Sequence, residues 1–108
     1  MRGFIGEFEE LVLLTIACLS KEAYGVAIKE DIEQRANRPI SIGSLHSTIT
    51  RLQEKGFVDS RLGEPSHVRG GRRKRYFSLT KSGTMALSKI KNLRDNLWAD
   101  AKLNLATD

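Results

Sequence analysis

The hydrophobic pattern predicts a mainly α-helical fold with one small β-hairpin and a long C-terminal helix. Three observations carry that expectation. Three segments before residue 56 repeat apolar residues at helical spacing. Two short alternating runs, 57–62 and 75–79, flank a stretch that contains Pro65 and the pair Gly70 and Gly71, which is the pattern of a hairpin. From Gly83 to about Leu105 nothing breaks a helix.

The first helix spans 7–19, EFEELVLLTIACL. Gly6 precedes it, and acids fill its first turn, where they meet the positive end of the helix dipole. From Leu11 onward it is apolar nearly all round, which predicts burial. A buried strand is the competing reading, and the length favours helix. Residues 20–23 form a polar connection. The second helix runs from Tyr24 to about Ala36, with an inward stripe of Val26 or Ala27, then Ile28, Ile32 and Ala36. Asn37 and Pro39 stop it.

The third helix is the best defined. Ser41 is placed to cap it, and Ile42, Leu45, Ile49 and Leu52 fall on one face. Gly56 suits a left-handed terminator. The other face carries Ser44, His46, Ser47, Thr48, Thr50 and Arg51, with no acid before Glu54. Hydroxyls, one His and one Arg suit an approach to phosphates and base edges. A merely solvated face of Ser and Thr is an equal reading at this point. In the last helix, Thr80 is the cap. Leu87, Ile90, Leu93, Leu97, Ala101 and Leu105 recur at spacings of three or four, with Trp98 beside them. A helix of about 25 residues is roughly 38 Å long, more than so small a core can cover. Its stripe therefore predicts a homodimer, with these seven residues at the interface. The expected division is 1–79 for the helices and hairpin and 80–108 for the dimerisation helix, packed as one compact unit.

Charge sharpens the reading. The 108 residues carry eighteen Lys and Arg against thirteen Asp and Glu, a net charge of +5. Residues 69–75, RGGRRKR, hold five of those cations and no acid, so the rest of the chain is balanced at thirteen each. The body is near neutral, with one local cationic segment at the end of the hairpin loop. Helix-turn-helix followed by a basic hairpin is the winged-helix arrangement, in which the third helix enters the DNA major groove. The wing then touches backbone or minor groove. DNA is the expected partner because the acid-poor helix face and the basic loop fall on one side of that architecture.

The residues also resemble a known family. GEFEELVLL at 6–14, AYGVAI at 23–28, ISIGSLHSTITRLQEKGFV at 40–58, RLGEP at 61–65 and GGRRKRYFSLTKSG at 70–83 are similar to PadR-family regulators of the short form with a single C-terminal helix. The resemblance implies a dimeric cytoplasmic repressor that binds a palindromic operator and is released by a small molecule. It places the recognition helix on 41–55, hence Ser41, Ser44, His46, Ser47, Thr48 and Arg51. It places the wing contacts on Gly70, Gly71, Arg72, Arg73 and Lys74. Tyr24 matches the family's Tyr-Gly, with two roles open: a phosphate contact, or packing on the third helix. His46 stands where the family often has Tyr. Arg51 has two open roles, base contact or pairing with an acid of its own domain. Some relatives stack a flat ligand on an aromatic of the last helix, which makes Trp98 the candidate for a small aromatic effector.

Other functions are weakly supported. His46 and His67 lie in no nucleophile or metal motif, so no enzyme, cofactor or metal is expected. The lone Cys18 excludes an internal disulfide and reads as a small buried apolar residue. No apolar run approaches the roughly 20 residues of a membrane span, and the acidic N-terminus is unlike a signal peptide. The alternative is a winged-helix module for RNA or protein contacts, but aromatics are only 6% of residues and RNA binding favours exposed ones.

Overall fold

The computed structural model describes residues 4–64 and 73–105. Its first element, α1 (Glu7–Leu19), starts where the Gly6 N–H donates to Glu9 Oε1 at 2.8 Å. Glu9 thus serves as a cap as well as a charge at the positive helix end. Val12, Leu13 and Ile16 are buried in the core. The expected all-round burial is corrected: Leu14, Ala17 and Cys18 are exposed, so Cys18 is not a core residue. Among the described residues, no neighbouring element covers that side.

A 3-10 turn (Ser20–Glu22) leads to α2 (Gly25–Ala36), one residue later than Tyr24, which is its cap position. Ile28 and Ile32 face the core, Ala27 is half-buried, and Val26 and Ala36 are exposed. Asn37 ends the helix in the left-handed region at φ 51°. The Glu33 carboxylate then accepts the Ile40 N–H at 3.0 Å and pairs with Lys29 at 3.1 Å, which shapes the turn before the next helix.

In α3 (Ile42–Glu54), the Ser41 Oγ accepts the Ser44 N–H at 3.0 Å. Leu45, Ile49 and Leu52 point inward, but Ile42 is 44% exposed and leaves the stripe. It sits in the first turn, before α3 reaches the core. Gly56 has φ 80°, a conformation other residues adopt at a cost, and the Phe57 N–H closes back on the Leu52 carbonyl at 2.9 Å.

Strands β1 (Val58–Leu62) and β2 (Arg75–Leu79) pair antiparallel, with Val58 opposite Leu79 and Leu62 opposite Arg75. The first strand starts at Val58 because the Phe57 N–H is taken by the helix end. The Phe77 N–H donates to the Ala23 carbonyl at 2.8 Å, which pins the hairpin to the entry of α2.

The last helix, α4 (Lys81–Leu105), is anchored by the Leu-Thr-x-x-Gly sequence at 79–83. Thr80 Oγ1 accepts the Gly83 N–H at 3.0 Å and donates to the Gly56 carbonyl at 2.6 Å. Gly83 is buried against the Phe57 backbone, and a Cβ there would collide with the Phe57 carbonyl oxygen. Thr80 and Gly83 thus lock the start of α4 to the end of α3. Ala86, Leu87 and Ile90 pack on the core. Every residue from Lys91 to Asp100 is exposed.

Candidate nucleic-acid interface

The buried row Leu45, Ile49 and Leu52 decides which residues of α3 face outward. Ser41, Ser44, His46, Ser47, Thr50 and Gln53 are exposed. Thr48 is a correction: it is 1% exposed, and its Oγ1 donates to the Ser44 carbonyl at 2.9 Å. A hydroxyl bonded to the preceding turn and covered by the core cannot reach a base.

Arg51 is divided between the two roles open for it. Its Nη2 donates to Thr48 Oγ1 at 3.1 Å, and its Nε lies 3.8 Å from Glu9 Oε2. The side chain remains half exposed. Glu9 is the acid of its own domain that sequence reasoning did not single out. Both of its carboxylate oxygens accept from Lys55 Nζ at 2.9 Å, and Lys55 also donates to the Phe4 carbonyl at 2.6 Å. Burial alone would raise the Glu9 carboxyl, but the Gly6 N–H together with Lys55 and Arg51 outweighs it and holds the group below the usual carboxylate range. The C-terminal end of α3 is therefore pinned to α1 by charge-assisted bonds.

Tyr24 packs against the hairpin. Its ring meets Tyr76 edge-on at 5.7 Å between centroids. Lys74 Nζ lies 4.1 Å from the Tyr24 centroid, and the Arg61 guanidinium lies 4.8 Å from that of Tyr76. Cation, ring, ring and cation form a row across the hairpin base, each cation attracted to a ring face. Beyond the strands, the Gly63 N–H donates to the Lys74 carbonyl at 2.7 Å, and Arg73 Nε donates to the Gly63 carbonyl at 2.8 Å. Arg73 and Lys74 are exposed. Gly70, Gly71 and Arg72, with His67, lie outside the described residues.

These parts meet in one open cleft of about 390 Å³, bordered by Tyr24, His46, Thr50, Gln53, Lys74 and Arg75. The entry of α2, the outer face of α3 and the base of the hairpin share it. Among the described residues, no acid lines it. Sequence reasoning left Gln53 and Arg75 out of the site. Gln53 follows His46 by seven residues, two turns along one side, and that spacing was the available signal.

The other expected surface lies on α4. Leu93, Leu97, Trp98 and Leu105 are each more than half exposed, and Ala101 is half-buried. Leu87 and Ile90 differ, because they already pack on their own core. Between α1 and α4 runs an open, mainly apolar groove of about 630 Å³, bordered by Leu14, Ala17, Leu79, Leu87 and Trp98. Arg94 crosses its edge to Glu10 at 2.7 Å. Among the described residues, no helix is long and apolar enough to cross a membrane.

Known proteins resemble the chain in sequence or in fold. An uncharacterised protein of Lysinibacillus sphaericus is 30% identical over 99 residues, which is 90% of this chain and 83% of that one. A PadR family transcription regulator from Clostridium difficile superposes with a TM-score of 0.71 at 20% identity, covering 91% of this chain and 98% of its own. A regulator of the same family from Eggerthella lenta gives 0.69 at 23%, covering 94% and 88%. These structural relatives are regulators rather than enzymes. The model of the PadR-like transcriptional regulators matches residues 13–89, most of the winged helix and the start of α4. The chain belongs to the PadR-like family of transcriptional regulators.

Proposed function

We propose that the chain binds a palindromic DNA operator as a homodimer and represses the gene it precedes, in the cytoplasm, until a small molecule releases it. The observation that supports this most is the acid-free cleft in which His46 and Thr50 of α3 face Lys74 and Arg75 of the hairpin. In this reading the N-terminal half of α3 enters the major groove. Ser44 and Ser47 reach base edges there, and His46 donates to a phosphate. Arg72, Arg73 and Lys74 hold the neighbouring backbone, and Tyr24 offers its hydroxyl beside them. The same loop brings Gly70 and Gly71 close to the duplex.

The dimer forms through Leu93, Leu97, Ala101 and Leu105 of α4, with the exposed face of α1 beside them. Leu87 and Ile90 support that helix from their own core. Trp98 borders the groove, where a planar aromatic effector would stack. One gel-shift series tests the reading. The protein is titrated against the promoter of its own gene, against scrambled duplex, and with tRNA as competitor. Retarded promoter DNA that resists tRNA, and is released by a planar aromatic, is the expected outcome. Equal affinity for the promoter and the scrambled duplex would remove operator recognition. Displacement by tRNA would favour RNA.

A further inference from the structure

Gly43 occupies the second position of α3. A glycine in a helix lowers stability relative to alanine, because it orders a freer backbone and packs no side chain. Such a residue usually has an internal reason, and the described residues offer none. The only described glycine with positive φ is Gly56, so Gly43 does not need its conformational freedom. A Cβ built on Gly43 would meet nothing within 4 Å, in contrast to Gly83, whose Cβ would strike the Phe57 backbone. Gly43 is exposed, and it precedes Ser47 by four residues and Thr50 by seven. Those intervals put it on the outward line of α3, opposite Leu45, Ile49 and Leu52.

We propose that Gly43 is a positioning residue for DNA, whose missing side chain lets the first turn of α3 seat against the duplex. The inference rests on the DNA-binding reading above. A methyl group on this line would hold the helix entry away from the groove, and Ser44 and Ser47 with it. Base contacts are geometric and reach only about 3 Å, so a small displacement removes them while looser phosphate contacts persist. The folded chain and the complex therefore favour opposite residues at position 43.

The test is Gly43→Ala, with Gly43→Leu as the larger step, in the full-length protein. Thermal melting, sedimentation and promoter binding are measured together. Gly43→Ala should leave Tm unchanged or raise it by a few degrees at most, because the full glycine–alanine difference belongs to a helix interior and Gly43 lies in the first turn. Its promoter affinity should fall about tenfold, and Gly43→Leu should fall further, with weak binding to scrambled duplex unchanged. Unchanged promoter affinity in Gly43→Ala would overturn the proposal while leaving DNA binding intact. A lower Tm would overturn it by revealing an internal role. Altered sedimentation would overturn it by assigning the site to a second copy of the chain. If the unmodified protein does not prefer its promoter, the DNA-binding reading itself fails and this proposal falls with it.

Discussion

The outer faces of α3 and α4 are both open to solvent, yet they differ in chemistry and in how they are held. That of α3 is polar and short in side chains, and both ends of the helix are fixed: Ser41 caps one, and Glu9 takes Lys55 and Arg51 near the other. That of α4 presents Leu93, Leu97 and Trp98; this helix is locked at its start by Thr80 and Gly83 and tied further along to α1 by the exposed Arg94–Glu10 pair. A rigid polar face suits a ligand that must be read at hydrogen-bond precision. A long apolar face suits a partner that supplies burial, which a domain this small lacks by itself. The two helices, not their outer faces, meet at Gly56 and Phe57, where α3 ends and α4 begins its packing.

The largest effect should come from α4. Leu93→Glu with Leu97→Glu places two carboxylates where an apolar interface is proposed, and burying an unpaired charge costs several kcal/mol. Dimer dissociation should strengthen by at least about a hundredfold, read by sedimentation velocity. Helical circular dichroism should persist, because both side chains are exposed in the single chain. A dimer that survives both substitutions would show that α4 does not carry the interface.

Next in size is the wing. Arg72→Ala with Arg73→Ala removes up to two phosphate contacts per protomer. Each contact contributes about −0.9 to the slope of log affinity against log salt, so a dimer should lose about 3 to 4 from its slope. Promoter and scrambled duplex should weaken alike, by roughly a hundredfold at low salt, because backbone contacts carry no sequence information. An unaltered slope would move the clamp elsewhere, with Lys74 and Arg75 the nearest candidates.

Much of this comparison was legible in the sequence, for local reasons. Ser41 before an apolar period, Gly56 after one, and the Leu-Thr-x-x-Gly joint act through neighbours in the chain. Thr48 misled because its polarity outweighed its position. It stands three residues after Leu45 and four before Leu52, and helical spacing puts it among the core residues, its hydroxyl satisfied by the turn behind it. Ile42 misled in the opposite way, being apolar but one turn short of the core. Leu14 and Cys18 lie on a side of α1 that no element among the described residues covers, which apolarity alone could not reveal. The Glu9–Lys55 pair spans 46 residues, and no local pattern joins such positions.

The smallest effect separates the two faces most sharply. Glu9→Gln keeps the shape and an acceptor for the Gly6 N–H but removes the charge that holds Lys55 and Arg51. Losing these charge-assisted bonds should lower folding stability by about 1–3 kcal/mol near neutral pH. Because the folded carboxyl lies below its usual range, the unfolded chain binds the proton more readily. Its contribution is then complete above the ordinary glutamate value and is lost as pH falls through the lower folded value. Denaturant midpoints should decline on that acid limb for the native chain and stay flatter for Glu9→Gln. Identical limbs in the two proteins would show that Glu9 does not hold α3 through its charge. Promoter affinity should drop only a few-fold, since α3 is loosened at the end away from its first turn. Dimer affinity should not change, because α4 takes no part in this pin.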